Sequence, residues 1–142
     1  MNTSIVTKVT KEISKSDLLD LYSSVGWTAY TKDLDLLQKA IAGSSFVISK
    51  WKDDVLLGLA RCVSDDATIM YLQDILVRPS HHRQGIGKEL VQACIERYAH
   101  VRQTVLLTDD QPEQAAFYEG LGFSNIKVIN SGKLNAFVKI SI

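Results

Sequence analysis

The sequence predicts an α+β domain: a mixed, mostly antiparallel sheet of six to seven strands flanked by about four helices, in the order β-α-α-β-β-β-α-β-α-β-β. Three observations carry this. Strand, helix and strand signals follow one another across residues 69–108, and a crossover helix between strands implies a parallel pair. Apolar runs separated by short polar turns fill residues 44–77, as in hairpins. Two apolar stripes at helical spacing, each stopped by a glycine, occupy the region before them.

Residues 4–13 read as the first strand, with Ile5, Val6 and Val9 set among Thr and Lys. Ser16 is the expected cap of a helix carrying Leu18, Leu19 and Tyr22, which stops at Gly26. A second helix is expected from Asp33 or Leu34 to Ala42, closed by Gly43. "SSFVISKW" and "VLLGLARCVS" form a hairpin about "KDD", and "TIMYLQDILV" follows the polar turn "SDDA". The stretch "KELVQACIERYAH" places Leu90, Val91, Cys94, Ile95 and Tyr98 on one helical face. "TVLLT" fits a short buried strand. "DDQPEQAAFYEGLG" fits a helix with Asp110 as cap and Pro112 in its first turn. Two strand-like runs, "NIKVIN" and "NAFVKISI", close the chain.

With 142 residues and no internal repeat or linker, one domain covering 1–142 is expected. Sixteen basic and sixteen acidic side chains cancel, which argues against nucleic acid or an anionic membrane as partner. No apolar leader or spanning run is present, so a soluble, cytoplasmic protein is expected. Cys62 and Cys94 sit in apolar patterns without the spaced partners of a zinc site or disulfide framework, and no metal is expected. His81 and His82 are adjacent and point apart in an extended loop, which also speaks against a shared metal.

The chemistry concentrates in "VRPSHHRQGIGKEL", residues 77–90. Gly85 and Gly87 let backbone amides approach a ligand, and a helix starting there directs unpaired N–H groups and a partial positive charge at the loop. Arg83 and Lys88 add charge. The combination favours a phosphate or pyrophosphate. Leu90 stands where a dinucleotide fingerprint needs its third Gly, and His82 and Glu89 break the P-loop pattern. A plain glycine-rich connection remains the structural alternative.

"DILVRPSHHRQGIGKELV" followed by "VLLTDDQPEQAAFYEGLGF" resembles the GNAT superfamily of acetyl-CoA-dependent N-acetyltransferases. Val77, Pro79, Gly85 and Gly87 match its strand–Pro–loop–Gly-x-Gly–helix signature. Phe117-Tyr118 and Gly122-Phe123 match its later one. The likeness spans about residues 45–123, with His82 and Gln111 departing from the commonest pattern. It implies acetyl-CoA as acetyl donor, with no metal. Ile75, Leu76 and Val77 would meet the pantetheine arm as an added strand does. His82, Arg83, Gln84, Gly85, Ile86, Gly87 and Lys88 would hold the pyrophosphate, and Gln111 a further cofactor contact.

The resemblance also makes Tyr118 the candidate general acid toward the leaving thiolate and a cofactor contact. Phenols and alkyl thiols lose protons in a similar range, about 9–10; the alternative is a tyrosine packed beside Phe117. Asp74 is the candidate general base, acting through water. Strand periodicity places it with Leu72 and Leu76, and a carboxylate among apolar neighbours is poised to take a proton near neutrality. A salt-bridged strand Asp is the equal alternative, and bulk water can also deprotonate an amine. Trp27 and Tyr30 lie in "SSVGWTAYTKD", residues 23–33, a connection that borders the acceptor groove in this fold. "LYSSVGW" resembles a subgroup that includes small-amine acetyltransferases. Trp27 and Tyr30 are expected either to wall an amine pocket or to staple the helices to the sheet. The expected acceptor is a small-molecule primary amine; a peptide or protein amine, or a non-catalytic acyl-CoA-binding module, are the alternatives. The C-terminal strands would leave an edge suited to a homodimer.

Overall fold

The computed structural model describes residues 4–141, apart from the side chain of Asn130. It falls into two compact units, Met1–Leu107 and Thr108–Ile142.

The first unit contains β1 (Ile5–Val9), α1 (Lys15–Ser24), α2 (Thr28–Thr31), α3 (Leu34–Gly43), β2 (Phe46–Lys52), β3 (Val55–Ser64), β4 (Ile69–Val77), α4 (Ile86–Arg97) and β5 (Gln103–Leu106), with a 3₁₀ turn at Pro79–His81. The strands lie in sequence order, β1-β2-β3-β4-β5. The first three pairings are antiparallel, and β4 with β5 is parallel. The sheet therefore has five strands among the described residues, not six or seven.

β3 shows why the sheet is a central layer. Seven consecutive residues, Leu56–Cys62, are buried, the pattern of a strand covered on both faces. Leu18, Leu21 and Tyr22 of α1, with Leu37 and Ile41 of α3, pack against Val47, Trp51, Leu56 and Leu59. α4 packs on β2, β3 and β4 and buries Ile86, Leu90, Val91 and Cys94. Burying a Leu or Val side chain of this kind contributes about 1.5–3 kcal/mol. Cys62 and Cys94 are free and fully buried.

Helix starts depart from the expected positions for local reasons. Ser14, not Ser16, caps α1: its extended backbone lets Oγ accept the Asp17 N–H at 3.1 Å while its own hydroxyl donates to Asp17 Oδ2 at 2.8 Å. α4 begins at Ile86, two residues before Lys88, so Gly87 lies within its first turn. α2, a single turn holding Tyr30, is too short to leave a periodic signal.

The second unit contains α5 (Pro112–Gly120) and a 3₁₀ turn at Ile129–Gly132. Gln111, not Asp110, is the N-cap of α5. The residue before a proline is driven to extended backbone, here φ −123° and ψ 131°, and Pro112 then opens the helix. The runs "NIKVIN" and "NAFVKISI" form no strand among the described residues. Around Asn125 the chain turns instead, with Val128 N–H donating to the Asn125 carbonyl and Lys127 N–H to its side chain. Val128, Phe137 and Ile140 are exposed by 72%, 91% and 79%, so their alternation has no covered face to serve. The strand edge expected for a homodimer is accordingly not formed there.

Candidate active site

β4 and β5 pair only from Ile69↔Gln103 to Leu72↔Leu106. Beyond Leu72, residues 73–77 of β4 have no partner on the β5 side among the described residues. On the other side β4 stays bonded to β3, through Arg61↔Asp74, Ala60↔Ile75, Leu59↔Leu76 and Gly58↔Val77. The two parallel strands thus part where Ile75, Leu76 and Val77 lie, a strand end with backbone to offer an extended ligand.

The chain leaves β4 under close control. Arg78 N–H donates to the Leu57 carbonyl at 2.7 Å, and the Arg78 side chain reaches the Leu56 carbonyl at 2.8 Å and Asp20 at 2.7 Å. His82 Nε2 lies 2.7 Å from the Val77 carbonyl, so it carries the hydrogen and ties the loop back to the strand end. The ring of His82 is therefore a brace for the loop. Arg83 and Gly85 take left-handed backbone, φ 64° and 80°. For Arg83 this conformation costs about 1–2 kcal/mol, a strain that concentrates at ligand loops.

Gly85 caps α4 without a side chain, and the first-turn amides at Ile86, Gly87 and Lys88 precede the helix's own hydrogen-bond ladder. Ile86 turns its side chain into the core, so only its backbone serves the loop. Arg83, Gln84 and Lys88 are exposed beside these amides, and Glu89, the one acid in the turn, is paired with Lys50 at 2.6 Å. The result is a net-positive cradle of backbone donors that suits a pyrophosphate.

Gly58 sets the depth of the cradle. A Cβ there would lie 3.1 Å from the Leu76 carbonyl oxygen and 3.2 Å from both Ile86 Cγ2 and Leu90 Cδ1. Only a glycine lets α4 start so close to β3 and β4. It reads from sequence as one more residue of an apolar strand.

A polar cluster stands where β4 and β5 part. Asp74 is buried, as its strand position predicts, but its neighbours are not apolar. Arg61 Nε donates to Oδ2 at 2.5 Å, the Tyr22 hydroxyl to Oδ2 at 3.0 Å, and the Tyr30 hydroxyl to Oδ1 at 2.8 Å. Burial and the Asp74 charge push the Tyr22 phenol well up and the Tyr30 phenol up. Burial works against the Arg61 charge, but the Asp74 charge and the hydrogen bonds to Asp74 and Tyr30 together outweigh it, and the guanidinium pKa rises. Both Asp74 oxygens thus already accept hydrogen bonds, one of them from a buried guanidinium. The geometry therefore departs from the expected carboxylate in an apolar pocket ready to act as base.

Tyr30 is half-buried and packs edge-on against Tyr22 at 5.2 Å, with Trp27 at 6.2 Å. Both aromatics rest on the α1–α3 core, so the stapling role exists, and Tyr30 also joins the polar cluster. Arg61, Tyr22 and Gln73 were not singled out from sequence. Arg61 had a signal of its own, a lone charge in the apolar run "LLGLARCV" that requires a buried partner.

In the second unit, Tyr118 is buried on α5 between Phe117 and Phe123, with ring centroids at 5.0 and 5.8 Å in edge contact. Burial pushes its phenol up to about 12, away from the match to a thiol expected above. Gln111 is exposed at the start of the same helix. Among the described residues no three His, Cys, Asp or Glu side chains gather to hold a metal, and no helix is long and apolar enough to cross a membrane.

Comparison with known proteins identifies the class to which this mixed sheet and glycine-led helix belong. Residues 13–123 match the acetyltransferase (GNAT) family model, and the chain belongs to that family of acetyl-CoA-dependent N-acetyltransferases. It is 28% identical over 117 residues to the ycf52 N-acetyltransferase of Pyropia yezoensis, covering 80% of this chain and 66% of the relative. The ycf52 protein of Gracilaria tenuistipitata var. liui is 32% identical over 117 residues, covering 78% and 62%. The chain thus spans about two-thirds of the length of these relatives. A GNAT family acetyltransferase from Streptococcus pneumoniae TIGR4 superposes with a TM-score of 0.83 at 27% identity, covering 97% of this chain and 98% of that one.

Proposed function

We propose that the chain transfers an acetyl group from acetyl-CoA to the primary amine of a small molecule by direct attack in a ternary complex. The observation that carries this is the coincidence, at one strand end, of the β4–β5 parting, the cradle at His82–Lys88 and the Tyr30–Asp74 cluster. Bound acetyl-CoA would supply an activated thioester. The amides of the Gly85–Lys88 turn, with Arg83 and Lys88, would take its pyrophosphate, and residues 75–77 would run beside its pantetheine arm. A backbone N–H near Val77 is suited to the thioester oxygen.

The nitrogen attacks the carbonyl carbon, the C–N bond forms, and the C–S bond breaks with its electron pair leaving on sulfur. Tyr118 is our proton donor to that sulfur, and Gln111 a further cofactor contact. The amine proton is best given to bulk water, because Asp74 is already committed to Arg61. Trp27 and Tyr30 are our acceptor-side residues. Support for a small amine comes from the fold: an aminoglycoside acetyltransferase from a soil metagenome, in complex with sisomicin, shares it with a TM-score of 0.62 at 17% identity. A short aromatic wall set against the sheet also favours a small acceptor over an extended peptide.

The test is calorimetric titration with acetyl-CoA, with ATP and NAD as comparators, followed by amine-dependent thiol release. Selective acetyl-CoA binding that is lost in Gly85→Asp supports the reading. Binding of ATP or NAD in its place would reject it, and tight acetyl-CoA binding with no release toward any amine would leave only a binding module.

A further inference from the structure

We propose that the Tyr30 hydroxyl oxygen receives the N–H of the acceptor amine, and that Asp74 is a positioning residue that turns a Tyr30 lone pair toward it. This deepens the amine-acetyltransferase reading and rests on it.

The argument starts from which hydrogen goes where. Arg61 Nη2 and Gln73 Nε2 each stand 3.3 Å from Tyr30 Oη, and both groups can only donate. The Tyr30 hydrogen is therefore left to Asp74 Oδ1, 2.8 Å away. Asp74 already accepts from Arg61 and Tyr22 at its other oxygen. The charged groups facing Tyr30 are thus Asp74 from β4 and Arg61 from β3, with the Tyr22 ring from α1, and they cancel in charge. An oxygen with its hydrogen fixed inward keeps its lone pairs for donors outside.

Gln73 shows what such a donor is. It is exposed, is the first β4 residue beyond the last β4–β5 pair, and offers an N–H to Tyr30 over a long, weak contact. An incoming amine N–H can replace that contact as the Gln73 side chain swings into solvent. Asp74 is only 2% exposed, so an acceptor cannot reach it directly, whereas Tyr30 forms the open end of the cluster. The neutral Arg61–Asp74 pair also gives no net attraction for an ammonium.

The test pairs kinetics with a readout in the free protein. Tyr30→Phe keeps the ring contacts and should lower kcat/KM for the amine at least tenfold while the acetyl-CoA Kd stays within twofold. Asp74→Asn presents an N–H to Tyr30 in place of an acceptor, so its loss should match that of Tyr30→Phe, and the double variant should lose no more than either alone. Ultraviolet titration of tyrosinate should show Tyr30 ionising at lower pH in Asp74→Asn, because the carboxylate charge that opposes it is gone. A wild type that turns over amines while Tyr30→Phe stays within threefold of it overturns the contact. Losses that multiply in the double variant, or a Tyr30 titration untouched by Asp74→Asn, overturn Asp74 as its positioner. If Asp74→Asn does not fold, the Tyr30→Phe result decides. A wild type that binds acetyl-CoA but releases no thiol with any primary amine rejects the proposed function, and the contact with it.

Discussion

Gly58 on β3 and Ile86 at the start of α4 approach so closely that a methyl group built on Gly58 would stand 3.2 Å from Ile86 Cγ2. The Leu76 carbonyl, 3.1 Å from the same point, is backbone and cannot swing aside. Gly58→Val should therefore lift α4 from the sheet, with an overpacking cost of about 1–3 kcal/mol. Thermal denaturation should show a lower Tm, and calorimetry a weaker acetyl-CoA Kd, because the amides of the cradle move with the helix. A variant with both values unchanged would mean that α4 is not seated by this contact.

Arg61 and Asp74 are cross-strand partners with side chains exposed by only 9% and 3%. Arg61→Met leaves the carboxylate buried without its counter-ion, which costs about 3–5 kcal/mol. Replacing both, as Arg61→Met with Asp74→Leu, removes the uncompensated charge and should be milder than Arg61→Met alone. Urea denaturation of the two variants measures this directly, and a double variant worse than the single would refute it.

Tyr118 makes a prediction at high pH. Burial raises its folded pKa from 10.0 to about 12, so folding favours the protonated phenol. Its contribution to stability is fully present below about 10 and is lost as pH rises through about 12. Tyr118→Phe should therefore lose less stability than wild type between those values in chemical denaturation. Parallel curves would show that the phenol ionises as freely in the folded chain as in the unfolded one.

Asp65 makes the opposite one. Its carboxylate accepts the Thr68 hydroxyl at 2.7 Å and the amides of Thr68, Ala67 and Ile69 at 2.7, 2.9 and 3.1 Å, closing the β3–β4 turn. These bonds, the Thr68 hydroxyl foremost, hold it well below the usual carboxylate range of 3.8. The stabilisation is present above that value and is lost as pH falls through the lower folded pKa. Asp65→Ala should be less stable than wild type at neutral pH, with the gap closing under strong acid. A gap independent of pH would assign the effect to the side chain's bulk.

How far the sequence could be read depended on whether a residue's role is local. β3 was legible from Val55 to Ser64 because a strand covered on both faces is apolar throughout. The cradle was legible because glycines and a helix start lie within a few residues. The α1 cap fell at Ser14 and not at the expected Ser16, since both residue types cap equally well and only the observed backbone chooses Ser14. Pro112 moved the α5 cap from Asp110 to Gln111 by a local rule that was within reach. The runs after Asn125 alternate like strands, yet alternation says nothing about a partner to pair with. The same limit hid the Asp74 environment. Arg61, Tyr22 and Tyr30 come from 13, 52 and 44 positions away, and no spacing in the sequence brings them to one carboxylate.

Cys62 and Cys94 are both fully buried, and hydrogen bonding to Cys62 together with burial pushes the Cys94 thiol up. A disulfide indicator such as dithionitrobenzoate needs an accessible thiolate, so the folded chain gives it almost nothing to colour. Continuous detection of released coenzyme A can then be run at high enzyme concentration with little protein background, which suits a search through slow acceptors. A creeping absorbance in the absence of both amine and acetyl-CoA would report unfolding, so the same assay monitors integrity as well as turnover.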